Sequence, residues 1–367
     1  ALLWEMVGRG SDERRRGLAL GLAFGAGPVL AVIGSFVQAV LMGGNFFGLE
    51  FKSPENLDGF VVLFACGVPV MVIASVLSWF FKLPEVEFEP SCEPIGEVLG
   101  LLVGLPLMLA SIGLVQAGEF TGTPLYRFGG YLAAALSAAG FLYHFRPILT
   151  QRVLLLATVV TVLVYSGNTI PSNMTLFSPE VLGDEPAKFA GMQNALRFGF
   201  KVVAGAVLGW LLTRSHPRQG LVATAAIFLL AQVWAIFATG TAYLVAFGLY
   251  GAGELIGVYA PNYILSASRP GDIRRNMAFV TLLMVPAAPT GYLFGAIADS
   301  IREAGWQLGD MTSAALGFRV SFGVCALLIL LGILVAVVKL PRTPGVAGGD
   351  PSPDDIPEPP DGESQVS

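Results

Sequence analysis

Ten stretches of this chain stay apolar for about 20 residues at a time, and no other feature of the sequence restricts its fold as strongly. They cover residues 18–42, 58–82, 95–117, 125–143, 152–176, 190–213, 220–240, 242–266, 276–298 and 316–340. At about 1.5 Å per residue, a helix of this length crosses roughly 30 Å of hydrocarbon. Only 13% of the 367 residues are charged, while 54% are hydrophobic. A soluble domain carries about a quarter charged residues, so charge this sparse cannot cover a water-facing surface. The expectation is an all-α polytopic membrane protein of about ten transmembrane helices.

Charge placement refines this. The net charge of −5 arises in the stretch Thr343–Ser367, which holds Asp350, Asp354, Asp355, Glu358, Asp361 and Glu363 and no Lys or Arg. Without those six of the 26 acids, 20 remain against 21 basic residues. No basic block is left for nucleic acid. The loops at one set of helix ends hold 14 basic residues, among them Arg14–Arg16, Arg146, Arg214, Arg218, Arg274 and Arg342. The opposite set holds five: Lys52, Arg127, Lys188, Arg302 and Arg319. The richer set is expected on the cytoplasmic side, and with it the acidic, Pro-rich and disordered tail. Cys66, Cys92 and Cys325 form no C-x-x-C pair, and the only histidines are His144 and His216. Neither a structural disulfide, a metal site nor a cofactor is expected.

An internal repeat organises the chain. Ser11-Asp-Glu-Arg-Arg-Arg16 answers Gly271-Asp-Ile-Arg-Arg-Asn276, Leu57-Asp-Gly-Phe60 answers Ala315-Leu-Gly-Phe318, and Phe81-Lys-Leu-Pro84 answers Val338-Lys-Leu-Pro341. The separations are 260, 258 and 257 residues. Six helices with short loops take about 200 residues, and the excess matches one extra hairpin. The reading is therefore residues 1–92 as the end of a first helix bundle, 93–147 as an inserted hairpin, 148–342 as a complete six-helix bundle, and 343–367 as the tail. Ala1–Val7 reads as the end of an apolar helix, so an upstream part is expected. The competing account is that Arg-rich helix starts and Lys-Leu-Pro ends are interface punctuation.

Two local patterns carry a family resemblance. Arg14–Gly17 is followed by Gly21, Gly25, Gly27, Pro28 and Gly34, and Gly209-Trp-Leu-Leu-Thr-Arg-Ser-His-Pro-Arg218 joins the second and third helices of the six-helix set. The first resembles the fifth helix of the major facilitator superfamily of secondary transporters, with its Gly-Pro motif. The second resembles that family's G-x-L-x-D-R-x-G-R-R loop. Gly209, Leu211, Arg214 and Arg218 agree with the loop, while Thr213 replaces the Asp and His216 the second Gly. In the family that Asp helps latch the two halves, so the resemblance implies a degenerate latch. It also implies an MFS-like bundle of the 14-helix type with a central inserted pair, running from the end of the fourth helix onward.

Charges at mid-membrane are costly and are functional candidates by default. Arg197 and Lys201 are spaced i, i+4 and share one face of segment 190–213; Glu254 lies near the middle of segment 242–266. Glu254 reads as a titratable partner of the basic pair; a static ion pair fixing two helices is the alternative. Tyr165-Ser-Gly-Asn-Thr-Ile-Pro171 interrupts segment 152–176, because Pro removes a helix hydrogen bond and Gly loosens the turn. Tyr165, Asn168 and Thr169 are placed as cavity lining, with helix–helix hydrogen bonding as the other account. Gly253 and Gly257 flank Glu254 at the G-x-x-x-G spacing of close helix packing. Pro286 and Pro289 occupy nearly the repeat position of Pro28, and Gln38, Gln116 and Gln232 read as interhelical glue.

The function expected from these features is secondary active transport of a small polar or anionic solute by alternating access. Its partners are that solute, the lipid bilayer, and a proton or sodium ion coupled through Glu254, in a bacterial inner membrane. A transport-inactive sensor with the tail as its output is the second class. A membrane-embedded enzyme is the third, and the spans hold no D-x-x-x-D, H-E-x-x-H or G-x-S-x-G to supply its chemistry.

Overall fold

The computed structural model describes residues 13–52, 58–80, 95–183, 186–269, 272–284, 287 and 290–344. Each of the ten apolar segments contains helix. In order these are α1 (Glu13–Met42), α2 (Asp58–Ser78), α3 (Ile95–Thr121), α4 (Pro124–His144), the single turn α5 (Arg146–Leu149), α6 (Arg152–Tyr165), α7 (Pro171–Leu182), α8 (Pro186–Arg214), α9 (Pro217–Phe237), α10 (Val245–Gly253), α11 (Ile256–Ser266), α12 (Ile273–Met284), α13 (Thr290–Glu303) and α14 (Ser313–Lys339). The described sheet is one hairpin, β1 (Asn45–Phe46) and β2 (Leu49–Glu50). Its turn holds Phe47 and Gly48 at positive φ, and Asn45 Oδ1 accepts from the Gly48 N–H at 2.9 Å.

Among the described residues, six segments are long and apolar enough to cross a membrane: Leu102–Thr121, Arg152–Leu182, Lys188–Arg214, Pro217–Phe237, Gly240–Ser266 and Ser313–Lys339. Gly27–Met42 and Phe64–Leu77 are shorter apolar helices. The chain is an integral, all-α polytopic membrane protein. The other two expected spans are helical but differ in kind. In α4, Gly, Ala, Ser and Tyr replace Leu, Ile and Val, which lowers its hydropathy. Segment 276–298 is split into α12 and α13, and Pro286 and Pro289 between them lie outside the described residues.

Large apolar side chains face outward where hydrocarbon would meet them. Phe64, Met71 and Trp79 of or just after α2 are 73%, 70% and 85% exposed, an arrangement that water would oppose. The interior lies in the helices from α5 onward. Phe177, on α7, is ringed by Tyr243, Phe318 and Phe322 at centroid distances of 5.4–5.6 Å, with Phe228, Phe294 and Ile329 also fully buried.

Two helix pairs pack through small residues. In the α3–α4 hairpin a Cβ on Gly100 would fall 2.7 Å from the Gly140 carbonyl oxygen, and the Ser137 hydroxyl donates to the Gly104 carbonyl at 2.7 Å. Helix α1 lies along α8, where a Cβ on Gly191 would sit 2.7 Å from Ala39 Cβ and 3.1 Å from the Ser35 carbonyl oxygen. Ser35, Ala39 and Ala195 are buried at this seam, and the Asn194 amide donates to Gln38 Oε1 at 3.0 Å. Such close backbone approach is what draws helices together in lipid, where no hydrophobic drive separates them from the tails. In a chain whose native cysteines are changed to serine, Gln38→Cys with Asn194→Cys is therefore expected to cross-link rapidly on mild oxidation. Failure to cross-link in the folded protein would refute the seam.

The described ends group consistently. Lys188 lies 3.9 Å from Glu50, and the Thr312 hydroxyl lies 3.2 Å from Glu180. At the opposite end Arg218 Nη1 donates to the Val337 and Leu340 carbonyl oxygens at 3.2 and 2.7 Å, and the Tyr263 hydroxyl donates to the Pro341 carbonyl at 3.0 Å. These bonds satisfy carbonyl groups that the end of α14 leaves open.

Candidate functional site

Two of the spanning segments are broken near their middles. Between α6 and α7 the chain tightens into a 3₁₀ turn, Ser166–Thr169. The Ser166 and Thr169 hydroxyls turn back on the carbonyls of Leu163 and Ser166 at 2.6 and 2.8 Å, a local bonding that competes with the helix ladder, and Pro171 then starts α7 without an N–H to lose. Between α10 and α11 the break falls at Glu254 and Leu255, where the Gly257 N–H reaches the Glu254 carbonyl at 3.0 Å in place of a regular helical bond. Pro261, one turn further into α11, has no N–H to offer the Gly257 carbonyl.

The carboxylate at the second break meets the basic pair. Arg197 Nε donates to Glu254 Oε2 at 2.9 Å, Arg197 Nη2 donates to Oε1, and Lys201 Nζ donates to Oε2 at 2.6 Å. The side chains of Glu254 and Lys201 are 11% and 17% exposed, and that of Arg197 is 32% exposed. The three residues expected to meet are thus one triad, lying near the middle of the spans Lys188–Arg214 and Gly240–Ser266. A single carboxylate between two cations is charge-assisted and well bonded, which offsets much of the cost of burying it.

Aromatic rings complete the surroundings. The Arg197 guanidinium lies 5.2 Å from the centroid of Tyr250 and 5.6 Å from that of Phe198, and Lys201 Nζ lies 5.5 Å from Phe198, all within cation–π range. The Tyr250 hydroxyl lies 3.1 Å from Asn168 Oδ1 and 3.2 Å from the Asn168 carbonyl. Tyr250 therefore joins the first break to the ion triad on the second. Backbone proximity makes this possible: a Cβ on Gly251 would overlap the Arg197 carbonyl oxygen, and one on Gly248 would stand 2.8 Å from the Phe200 ring.

The other expected site residues are distributed as follows. Asn168 and Thr169 line a cavity of about 470 Å³ with Pro171, Ser172, Gly291 and Tyr292. The Thr169 hydroxyl also pairs with that of Thr290 at 2.9 Å, so Thr169 serves both packing and lining. Tyr165 packs half-buried against the core and is absent from that lining. Gly253 packs on Phe228, while a Cβ on Gly257 would meet nothing within 4 Å, so the close approach to α8 runs through Gly248 and Gly251 instead. Gln38 bonds across helices, but the amide of the fully buried Gln232 has no partner among the described residues. Asn173, in an apparent glycosylation sequon, is buried in α7 and donates to Ser321 Oγ at 3.4 Å.

The motif residues separate too. Gly209 is buried, Leu211 packs beside the buried cluster of Leu208, Leu255, Val258 and Tyr259, and Arg214 lies 4.6 Å from the Trp210 ring centroid. Arg218 instead caps α14, as above. In α1, Pro28 stands within the helix, Gly27 has open space beside it, and Gly25 is described by its backbone alone. His216, between two spans, titrates below the ordinary histidine range because of burial, then of Arg218 and Arg342. Its neutral form favours folding, so its contribution is expected to fade as pH falls from the ordinary histidine range through the lower folded value. Arg218→Gln should bring the His216 titration, followed by NMR of labelled histidine, nearer its ordinary value; an unmoved titration would sever the link.

Sequence reasoning missed Tyr250, Phe198 and Gly191. Tyr250 and Phe198 carried a usable signal, since each lies within a turn of a mid-span charge; Gly191 and Ala195, like Ser35 and Ala39, stand at small-x-x-x-small spacing. Among the described residues no three His, Cys, Asp or Glu side chains group as metal ligands. The chain matches no protein-family model, and no curated protein matches it.

Proposed function

We propose that this protein is a secondary active transporter of the major facilitator type, with a 14-helix plan, that moves a small polar or anionic solute by alternating access. The observation that carries this reading is the Arg197–Glu254–Lys201 triad at mid-span, tied through Tyr250 to a second broken helix. Transporters of this class place solute and coupling-ion sites near the midplane, where discontinuous helices free backbone groups. Taken as two sets of three, α6/α7–α8–α9 and α10/α11–α12/α13–α14, the six-helix region has a break in the first member of each and a further one in α12/α13. The long seam between α1 and α8 supplies a surface on which one bundle rocks against the other. Glu254 is the coupling residue, exchanging a proton or sodium ion as the motion alters its contacts with Arg197 and Lys201. The membrane is a bacterial inner membrane, with the acidic tail in the cytoplasm.

The test is uptake of labelled solutes into vesicles carrying the whole chain, with and without an imposed ion gradient. Glu254→Gln is expected to abolish gradient-driven accumulation while solute exchange persists. Undiminished accumulation would remove Glu254 from coupling, and absence of both activities for every solute in the wild type would remove the transporter reading.

A further inference from the structure

The triad has an odd charge count. Glu254 supplies one negative charge against the two positive charges of Arg197 and Lys201, and no other acid is bonded to them among the described residues. One positive charge is left uncompensated at mid-span, where an unpaired ion is expensive. The guanidinium is also only half used. Glu254 occupies the Nε and Nη2 edge, and the Nη1 N–H groups find no acceptor among the described residues. That leaves the Nη1/Nη2 end free for a second planar, two-oxygen acceptor. Arg197 is the most exposed member of the three, and the Phe198 and Tyr250 rings flank it.

We infer that the site binds a monocarboxylate, its two oxygens on the free end of Arg197 and its apolar body against Phe198, so that site and ligand together are neutral. This names the solute class of the transporter proposed above and rests on that reading, but binding is measured without transport. Lys201 and Glu254 set the charge the site accepts, and Arg197 supplies the contact. Removing Glu254 raises the site to two positive charges and removing Lys201 brings it to zero, each with a different preferred ligand charge.

The experiment is ligand-induced thermal stabilisation of the whole chain in detergent, using benzoate, the neutral benzamide and the doubly charged phthalate as probes. Benzoate is expected to bind the wild type at least about tenfold more tightly than either of the others. Glu254→Gln should reverse the order of benzoate and phthalate, Lys201→Gln should make benzoate and benzamide equal, and Arg197→Lys should weaken benzoate by about tenfold while retaining the charge. Equal binding of benzoate and benzamide by the wild type would overturn the inference, as would an unchanged benzoate-to-phthalate order in Glu254→Gln. Should that variant not fold, Lys201→Gln decides alone: a retained preference for benzoate over benzamide overturns the charge count. Benzoate binding with the expected charge order, but without uptake of any monocarboxylate into vesicles, would uphold the site and overturn transport.

Discussion

Gly251→Ala is expected to destabilise the protein by about 3 kcal/mol, a large effect for one added methyl group. The new Cβ would overlap the Arg197 carbonyl oxygen and stand 2.7 Å from Arg197 Cα. Both are backbone atoms, so no side-chain rotation relieves the overlap and α10 must move away from α8. That movement carries Glu254 and Tyr250 with it, since they flank Gly251 on the same turn, and the variant should lose the site's function as well. Gly257→Ala is the control. Its Cβ would meet nothing within 4 Å, and the change is expected to stay within about 0.5 kcal/mol. Reversible unfolding in mixed micelles measures both. Equal stability of Gly251→Ala and wild type would contradict the close packing of α10 on α8.

The second large effect concerns the ions. Glu254→Ala leaves Arg197 and Lys201 facing each other without a counter-charge, and removing one partner of a buried ion group typically costs about 3–5 kcal/mol. Lys201→Met alone should be much milder, because Glu254 keeps both of its bonds to Arg197. The double variant Glu254→Ala/Lys201→Met should then be more stable than Glu254→Ala, since it holds one uncompensated cation instead of two. A double-mutant cycle on the same unfolding assay reads this coupling directly. Additive losses would mean that Lys201 and Glu254 do not share a site.

The elements of the candidate site were legible to different depths. Arg197, Lys201 and Glu254 stand out in any reading, because a charge amid apolar residues has no solvent to satisfy it and must find a partner. That they pair with one another follows almost by elimination from the shortage of other mid-span charges. Asn168 was legible as a break, from Gly167 and Pro171 around it, but its partner was not. Tyr250 sits 82 residues further along, and nothing in local periodicity links the two. Gly253 and Gly257 drew attention through their spacing, yet α10 approaches α8 through Gly248 and Gly251, because rotation about the helix axis decides which glycine faces a neighbour. Arg218 looked like part of a loop motif; the fold uses it to close the carbonyl end of α14.

What the sequence determined by itself is the solvent. Long apolar runs with few charges require lipid around them, and lipid requires helices, since an unpaired backbone group there has no water to turn to. Local chemistry also placed the first break, because Gly167, Pro171 and short hydroxyl side chains act within one turn of their own position, whereas the break at Glu254 and Leu255 was not expected from the residues there. Only the tertiary structure decided which breaks meet, which glycines lie at a seam, and that one carboxylate bridges two cations beneath the ring of Tyr250. Those contacts depend on the rotation and tilt of whole helices, which are set by the summed packing of many small contacts and are not encoded in any short window of the chain.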